Sequence, residues 1–144
     1  MKNKKVLALL TLVLATTIMV AGCARKGAKT AGGGASGLNK VHFDFDKYNI
    51  KSEYEGVLKT NADWLQKSKK AAVVIEGHCD ERGAAEYNIA LGDRRAKSAK
   101  NYVSNLGIGG DRLSTVSYGE EKPLASCHEE SCWWQNRRAE FLAK

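Results

Sequence analysis

Apolar and polar positions recur in distinct patterns along the chain, and each pattern predicts an element. Val41-His42-Phe43-Asp44-Phe45-Asp46 alternates, as a half-buried strand does. Ser52-Glu53-Tyr54-Glu55 has the Ser-x-x-Glu form of a capping box. A helix follows, with Tyr54, Val57, Leu58, Asn61, Ala62 and Leu65 on one face, and Lys67-Ser68-Lys69-Lys70 ends it. Val73 to Glu76 is a flatter apolar run, which predicts a second, central strand covered on at least one face. From about Ala85 to Leu106, a stripe of Leu91, Arg95, Ala99, Tyr102 and Leu106 predicts a long helix, and Gly107 supplies its C-terminal cap. Asp111 to Tyr118 reads as a third strand with Leu113 and Val116 as its apolar members. A helical turn near Glu129 to Gln135 precedes a last strand, Arg138 to Lys144, with Ala139, Phe141 and Leu142 available for burial. The order βαβα followed by two strands predicts an α/β two-layer sandwich, a mixed sheet with helices on one face.

Upstream the pattern changes. Val6 to Val20 carries no charge and follows Lys2, Lys4 and Lys5. It is short for a bilayer-spanning helix, which needs ~20 residues, and fits the apolar region of an export signal. It ends in Val20-Ala21-Gly22-Cys23, which resembles the bacterial lipobox, where the cysteine is lipidated and becomes the mature N-terminus. A multiply acylated Cys23 would anchor the chain stably to a membrane. No aspartate follows Cys23, which by resemblance to Gram-negative sorting rules favours the outer membrane. Ala24 to Gly37 has no large apolar residue and reads as a flexible tether with a reach of ~20 Å. The boundaries expected are a signal peptide over 1–22, lipidated Cys23 and tether over 23–38, and a folded domain over 39–144.

The formal net charge is +7. Lys2, Lys4 and Lys5 account for three of these charges, which leaves +4 after processing. Basic residues are scattered among acids with no aromatic-basic run, which argues against a nucleic-acid partner. The four cysteines do not make one zinc pattern. In an exported chain, Cys127 and Cys132 are expected to form a disulfide contributing roughly 2 kcal/mol.

The chemistry concentrates in Glu76-Gly77-His78-Cys79-Asp80-Glu81-Arg82-Gly83, where a strand ends and a helix begins. Such a place can hold a small charged ligand, with the backbone N–H groups from Gly83 to Tyr87 adding favourable potential for an anion. Arg95 interrupts an apolar stripe, so it must snorkel or find a partner. Two readings stay open: a structural salt bridge, or a guanidinium aimed at a ligand carboxylate. With Asp80 beside it, Arg95 could grip a ligand that carries both an ammonium and a carboxylate. Asp46, at the end of its strand, could join that site. Catalytic readings are weaker. His78 and Cys79 are adjacent in a strand and point to opposite faces, and Cys127-His128 with Cys132 is a zinc fragment at most.

Three stretches then carry a resemblance. Phe43-Asp44-Phe45-Asp46-Lys47-Tyr48, the run from Glu76 to Gly83, and Glu86-Tyr87-Asn88-Ile89-Ala90-Leu91-Gly92-Asp93-Arg94-Arg95-Ala96 resemble the OmpA-like peptidoglycan-binding domain family. Within it they are similar to the lipid-anchored members of the Tol–Pal system. Val116 to Pro123 and Asn136-Arg137-Arg138-Ala139 extend the likeness. The resemblance implies non-covalent binding of peptidoglycan at the meso-diaminopimelate of its stem peptide. It names Asp80 as the key acid and Arg95 as the key arginine, with Phe45, Asp46 and Leu91 around the ligand. It implies an outer-membrane lipoprotein, facing the periplasm, that ties that membrane to the cell wall with a role in envelope integrity and cell division. Partners would be the Tol-system β-propeller protein and other Tol components. No catalysis, cofactor or metal is implied. The sequence departs from the family between Pro123 and Asn136, which alters the expected loop shape and leaves the ligand site untouched. Two alternatives are a general OmpA-like anchor outside the Tol system and a metal-dependent enzyme built on His78, Cys79, Cys127 and His128.

Overall fold

A computed structural model describes residues 37–144. The expected signal peptide, lipobox, Cys23 and nearly all of the tether lie outside these residues. The elements are β1 (Val41–His42), α1 (Ser52–Lys67), β2 (Val73–His78), α2 (Ala85–Asn105), a 3-10 turn (Gly110–Arg112), β3 (Leu113–Gly119), α3 (Glu130–Asn136) and β4 (Arg138–Ala143). The sheet order is β1-β4-β2-β3. β4 runs antiparallel to both β1 and β2, and β2 is parallel to β3, joined to it through α2. The sheet is therefore mixed, and β2 is central as its apolar run predicted. Helices α1 and α2 close the core on one face, around Leu58, Leu65, Val73, Ile75, Val103 and Phe141.

Several local expectations need correction. β1 stops at His42 instead of running to Asp46. Past it, the Phe43 N–H still bonds the Arg137 carbonyl (2.9 Å), but the Arg137 Nε donates to the Phe43 carbonyl (3.0 Å) and the Arg95 Nη2 to that of Asp44 (3.2 Å), so side chains take the carbonyls that a longer ladder would use. Phe43 still packs in the core, whereas Phe45 is 55% exposed. The Ser52 capping box does not form: Ser52 is already helical and the N-cap is Lys51, with no side-chain bond. Glu53 and Glu55 in the first turn still complement the helix dipole. β2 runs two residues further than expected, to His78, and β3 begins two later, at Leu113, behind the 3-10 turn. Leu142 is 42% exposed rather than buried, and Leu38, assigned to the tether, belongs to the core. Gly107 caps α2 as expected, at φ +93° with its N–H on the Ser104 carbonyl (2.9 Å).

The contact that seats α2 on the sheet is a crossing of two glycines. A Cβ on Gly77 would lie 1.8 Å from the Gly92 carbonyl oxygen, and one on Gly92 would lie 2.3 Å from the Ser117 hydroxyl. Bare backbone there lets the helix drop onto β2, which sets where Leu91 and Arg95 fall relative to the strand end. Gly77→Ala is expected to lower the unfolding free energy by about 2–3 kcal/mol, because the new methyl meets backbone that cannot rotate away. Gly56→Ala in α1, with nothing within 4 Å, should instead gain about 0.5–1 kcal/mol from helix propensity. Urea midpoints of the two variants that move in the same direction would refute this account.

A cavity at the end of the central strand

Where β2 ends, the chain turns inward and then enters α2. His78 and Cys79 part company here. His78 stays on the outer side of the sheet, stacked on Tyr118 (5.7 Å between rings), and burial pushes its imidazole down to about 3. Cys79 turns in, and burial pushes its thiol up to about 11, so it stays protonated. The Cys79 N–H donates to the Gly119 carbonyl (2.7 Å) and its Sγ to that of Asn88 (3.3 Å). Asn88 Nδ2 reaches back to the Asp80 and Arg82 carbonyls (3.3 and 3.2 Å). The charged turn is thus pinned to the first turns of α2.

The turn borders a cavity of about 220 Å³. Phe45, Asp46, Asp80, Leu91 and Arg95, the five residues singled out from the sequence, all line it. Asp80 is 3% exposed. Its Oδ1 accepts the Arg82 N–H (3.1 Å), and its Oδ2 accepts Arg82 Nη2 (2.6 Å) and Arg137 Nη1 (3.1 Å). Burial alone would raise its proton affinity. The Arg82 side chain and backbone, followed by Arg137, outweigh that and hold the carboxyl below the usual carboxylate range. Oδ1 keeps a free lone pair for a further donor.

Arg95 forms no salt bridge with Asp80 or with any other carboxylate among the described residues, so a structural salt bridge is not what holds it. It is 1% exposed. Its Nε donates to the Lys47 carbonyl (2.8 Å), Nη1 to the His78 carbonyl (2.8 Å) and the Cys79 sulfur (3.3 Å), and Nη2 to the Asp44 carbonyl (3.2 Å). Four of its five N–H donors hold the 44–47 loop against the end of β2. One N–H and the positive charge remain for the cavity. Asp46, in the same loop, sits at φ +55°, a conformation that costs a non-glycine residue roughly 1 kcal/mol or more. The Tyr87 hydroxyl donates to its carboxylate and fixes it.

Sequence reasoning missed the residues that balance Asp80. Arg137 lies beside Asp80 because β4 starts there, and it also pairs with Glu130. Arg82 lies between the rings of Phe45 and Trp133, 4.1 Å from each centroid. Arg137 was visible only as part of an Asn-Arg-Arg run, and nothing in that run announces the partner of a turn 57 residues away. The departure between Pro123 and Asn136 does reach the site, contrary to expectation. Trp133 Nε1 donates to Glu81 (2.8 Å), and His128 Nδ1 hydrogen-bonds the same carboxylate (2.7 Å). α3 thereby braces the charged turn.

A Cys127–Cys132 disulfide closes the loop before α3, with 5.6 Å between the Cα atoms. Cys127→Ser with Cys132→Ser is expected to lower stability by about 2 kcal/mol through loop-closure entropy. The parent should lose the same amount in reductant and the double variant nothing. Equal midpoints for parent and variant without reductant would mean that the bond does not constrain the chain. The alternative metal set is not assembled: Cys127 is bonded to Cys132, His128 is exposed on Glu81, and His78 faces away from Cys79. No group of three or more His, Cys, Asp or Glu gathers among the described residues. No helix among them is long and apolar enough to cross a membrane.

Comparison with known proteins places this geometry among relatives. Residues 42–137 match the model of the OmpA family. The chain is 52% identical over 101 residues to a peptidoglycan-associated lipoprotein of Pasteurella multocida, covering 70% of this chain and 67% of that one. It is 41% identical over 141 residues to one of Haemophilus influenzae, covering 89% and 92%. The crystal structure of the peptidoglycan-associated lipoprotein from Burkholderia pseudomallei superposes with a TM-score of 0.71 at 41% identity, over 73% of this chain and 89% of that one. The C-terminal domain of Helicobacter pylori MotB, at 19% identity and a TM-score of 0.68 over 74% and 86%, shares the fold alone.

Proposed function

The chain belongs to the OmpA family and, within it, to the peptidoglycan-associated lipoproteins, and from that premise we propose that the cavity at the end of β2 binds the meso-diaminopimelate of a peptidoglycan stem peptide. The observation that carries this is the convergence of Asp80, Asp46 and Arg95 with the apolar Phe45 and Leu91 on one small cavity. The free end of diaminopimelate bears an ammonium and a carboxylate on one carbon. Asp80 Oδ1 has a lone pair for the ammonium, and Arg95, Arg82 and Arg137 supply positive potential for the carboxylate. Phe45 and Leu91 accommodate the methylene chain that joins the two ends of the residue. The activity in this reading is binding rather than turnover, and the Cys79 thiol that lines the cavity is pushed up to about 11 by burial and stays protonated.

The remaining assignments follow the same reading. Residues 1–22 are removed, Cys23 is acylated and inserted in the outer membrane, and the segment that precedes Leu38 lets the domain reach the wall from the periplasmic side. The domain then couples outer membrane and peptidoglycan as part of the Tol–Pal system, with the Tol β-propeller protein as a partner and consequences for envelope integrity and division. The 41–52% identity to proteins named peptidoglycan-associated lipoproteins favours this over an OmpA-like anchor outside that system. Calorimetric titration of the full chain in detergent with a diaminopimelate tripeptide, and with the same peptide carrying lysine in its place, tests the ligand. Preference for the diaminopimelate form is expected. Equal affinity for the two would remove diaminopimelate as the determinant. Loss of acyl labelling and release from membranes in Cys23→Ser tests the anchor.

A further inference from the structure

Outside the cavity, one cation on α2 is held in place without a counter-ion. Arg94 is exposed, and its guanidinium lies 5.7 Å from the Tyr48 ring centroid and 5.8 Å from that of Tyr87. Its neighbour Asp93 is bonded to Lys97 (2.7 Å), and Asp46 is taken by the Tyr87 hydroxyl. Among the described residues Arg94 pairs with no carboxylate. The two rings are themselves half exposed, 49% for Tyr48 and 46% for Tyr87. Tyr87 lines the cavity, so Arg94 stands at the rim of the site already described. An arginine side chain on a helix leans toward the N-terminus, which brings this one back over Tyr87 two turns earlier.

We propose that Arg94, steadied by Tyr48 and Tyr87, forms a second anionic subsite that takes another carboxylate of the peptide whose diaminopimelate end occupies the cavity. The proposal rests on the stem-peptide reading of that cavity. A guanidinium that contacts aromatic rings through its face keeps its in-plane N–H groups free, and a carboxylate matches them two at a time. Attraction to the two rings biases the side chain toward this arrangement, so less freedom is lost when the ligand arrives. The stem peptide offers two carboxylates near its diaminopimelate: the α-carboxylate of its γ-linked glutamate and the carboxylate at its C-terminal end.

The test pairs variants with amidated ligands. The full chain in detergent, Arg94→Gln, and Lys59→Gln as a distant exposed control are each titrated with three forms of the tripeptide: unmodified, amidated at the glutamate α-carboxylate, and amidated at the C-terminal carboxylate. In the parent, one of the two amidations is expected to weaken binding about fivefold, the scale of a solvent-accessible ion pair. Arg94→Gln should lose about the same factor with the unmodified peptide and be indifferent to that amidation. Lys59→Gln should follow the parent. If Arg94→Gln keeps the full amidation penalty, or if the parent shows none with either peptide, Arg94 reads no carboxylate and the subsite is overturned. Free diaminopimelate, which carries no glutamate carboxylate, is titrated into the parent and into Arg94→Gln alongside to test the cavity reading. Failure of the parent to bind it overturns the cavity reading, whereas binding without an amidation effect overturns only the Arg94 subsite.

Discussion

Asp80→Asn is expected to weaken binding of a diaminopimelate tripeptide roughly 100-fold, about 3 kcal/mol, while the chain remains folded. Asparagine keeps a carbonyl oxygen that can accept from Arg82 or Arg137, so the turn retains part of its bonding. It loses the charge that an ammonium would meet in a site with little water. Asp80→Ala is the harsher change. It leaves Arg137 with Glu130 as its remaining carboxylate partner and should cost about 3–5 kcal/mol of stability, as removing one partner of a buried pair does. The pH dependence separates charge from shape. The folded carboxyl titrates below its unfolded value, so its stabilising contribution is complete above about pH 5 and is lost as pH falls through the folded value. The gap in urea midpoint between parent and Asp80→Asn should therefore narrow as pH falls below about 4. A constant gap down to the acid transition, or undiminished peptide affinity in the variant at pH 7, would mean that the charge of Asp80 does neither job.

The parts of this site that were legible in the sequence were those that broke a local pattern. Arg95 stood in an apolar stripe, and Asp80 lay in a charged run bracketed by Gly77 and Gly83 at the end of an apolar strand. The structure brings both to one cavity at the end of β2. The partners of Arg95 were not legible, because most of them are backbone carbonyls with no side-chain signal. Arg95 bonds the carbonyls of Asp44, Lys47 and His78, and every residue offers a carbonyl. The same is true of Arg112, which holds the Leu65, Ser68 and Ala71 carbonyls at the end of α1. The fold was legible where burial follows period, as on the faces of α1 and α2. It misled at Phe43 to Asp46, where alternation persists but arginine side chains take the carbonyls that a neighbouring strand would have used. Ser52 misled for a related reason: a capping box is a local pattern, and the chain enters α1 one residue earlier, at Lys51, whose ammonium bonds Asp44 and Glu53 (2.9 and 3.1 Å).

Arg95→Ala is expected to damage the fold before it damages recognition, by about 4–5 kcal/mol. The substitution takes the arginine donor from three carbonyls, of which that of Asp44 keeps the Lys47 N–H (3.2 Å), at roughly 1–3 kcal/mol for each that is left buried with none. It also opens a space beneath the Phe43 ring, which the guanidinium now approaches at 5.3 Å. Such a loss approaches the whole stability of many small domains, about 5–15 kcal/mol. Arg95→Lys should fall between parent and alanine, because one ammonium cannot span carbonyls that the planar fork reaches together. The consequence for binding is indirect in the main. Arg95 fixes the loop that presents Phe45 and Asp46, and it fixes the strand end that presents Asp80, while a single N–H is left to meet a ligand. Urea midpoints and peptide titrations of both variants, the titrations made where each is still folded, separate the two roles. Affinity should fall in step with midpoint along the series arginine, lysine, alanine. A variant with the parent's midpoint and 100-fold weaker binding would show instead that Arg95 acts on the ligand directly and that the carbonyl bonds it makes are dispensable.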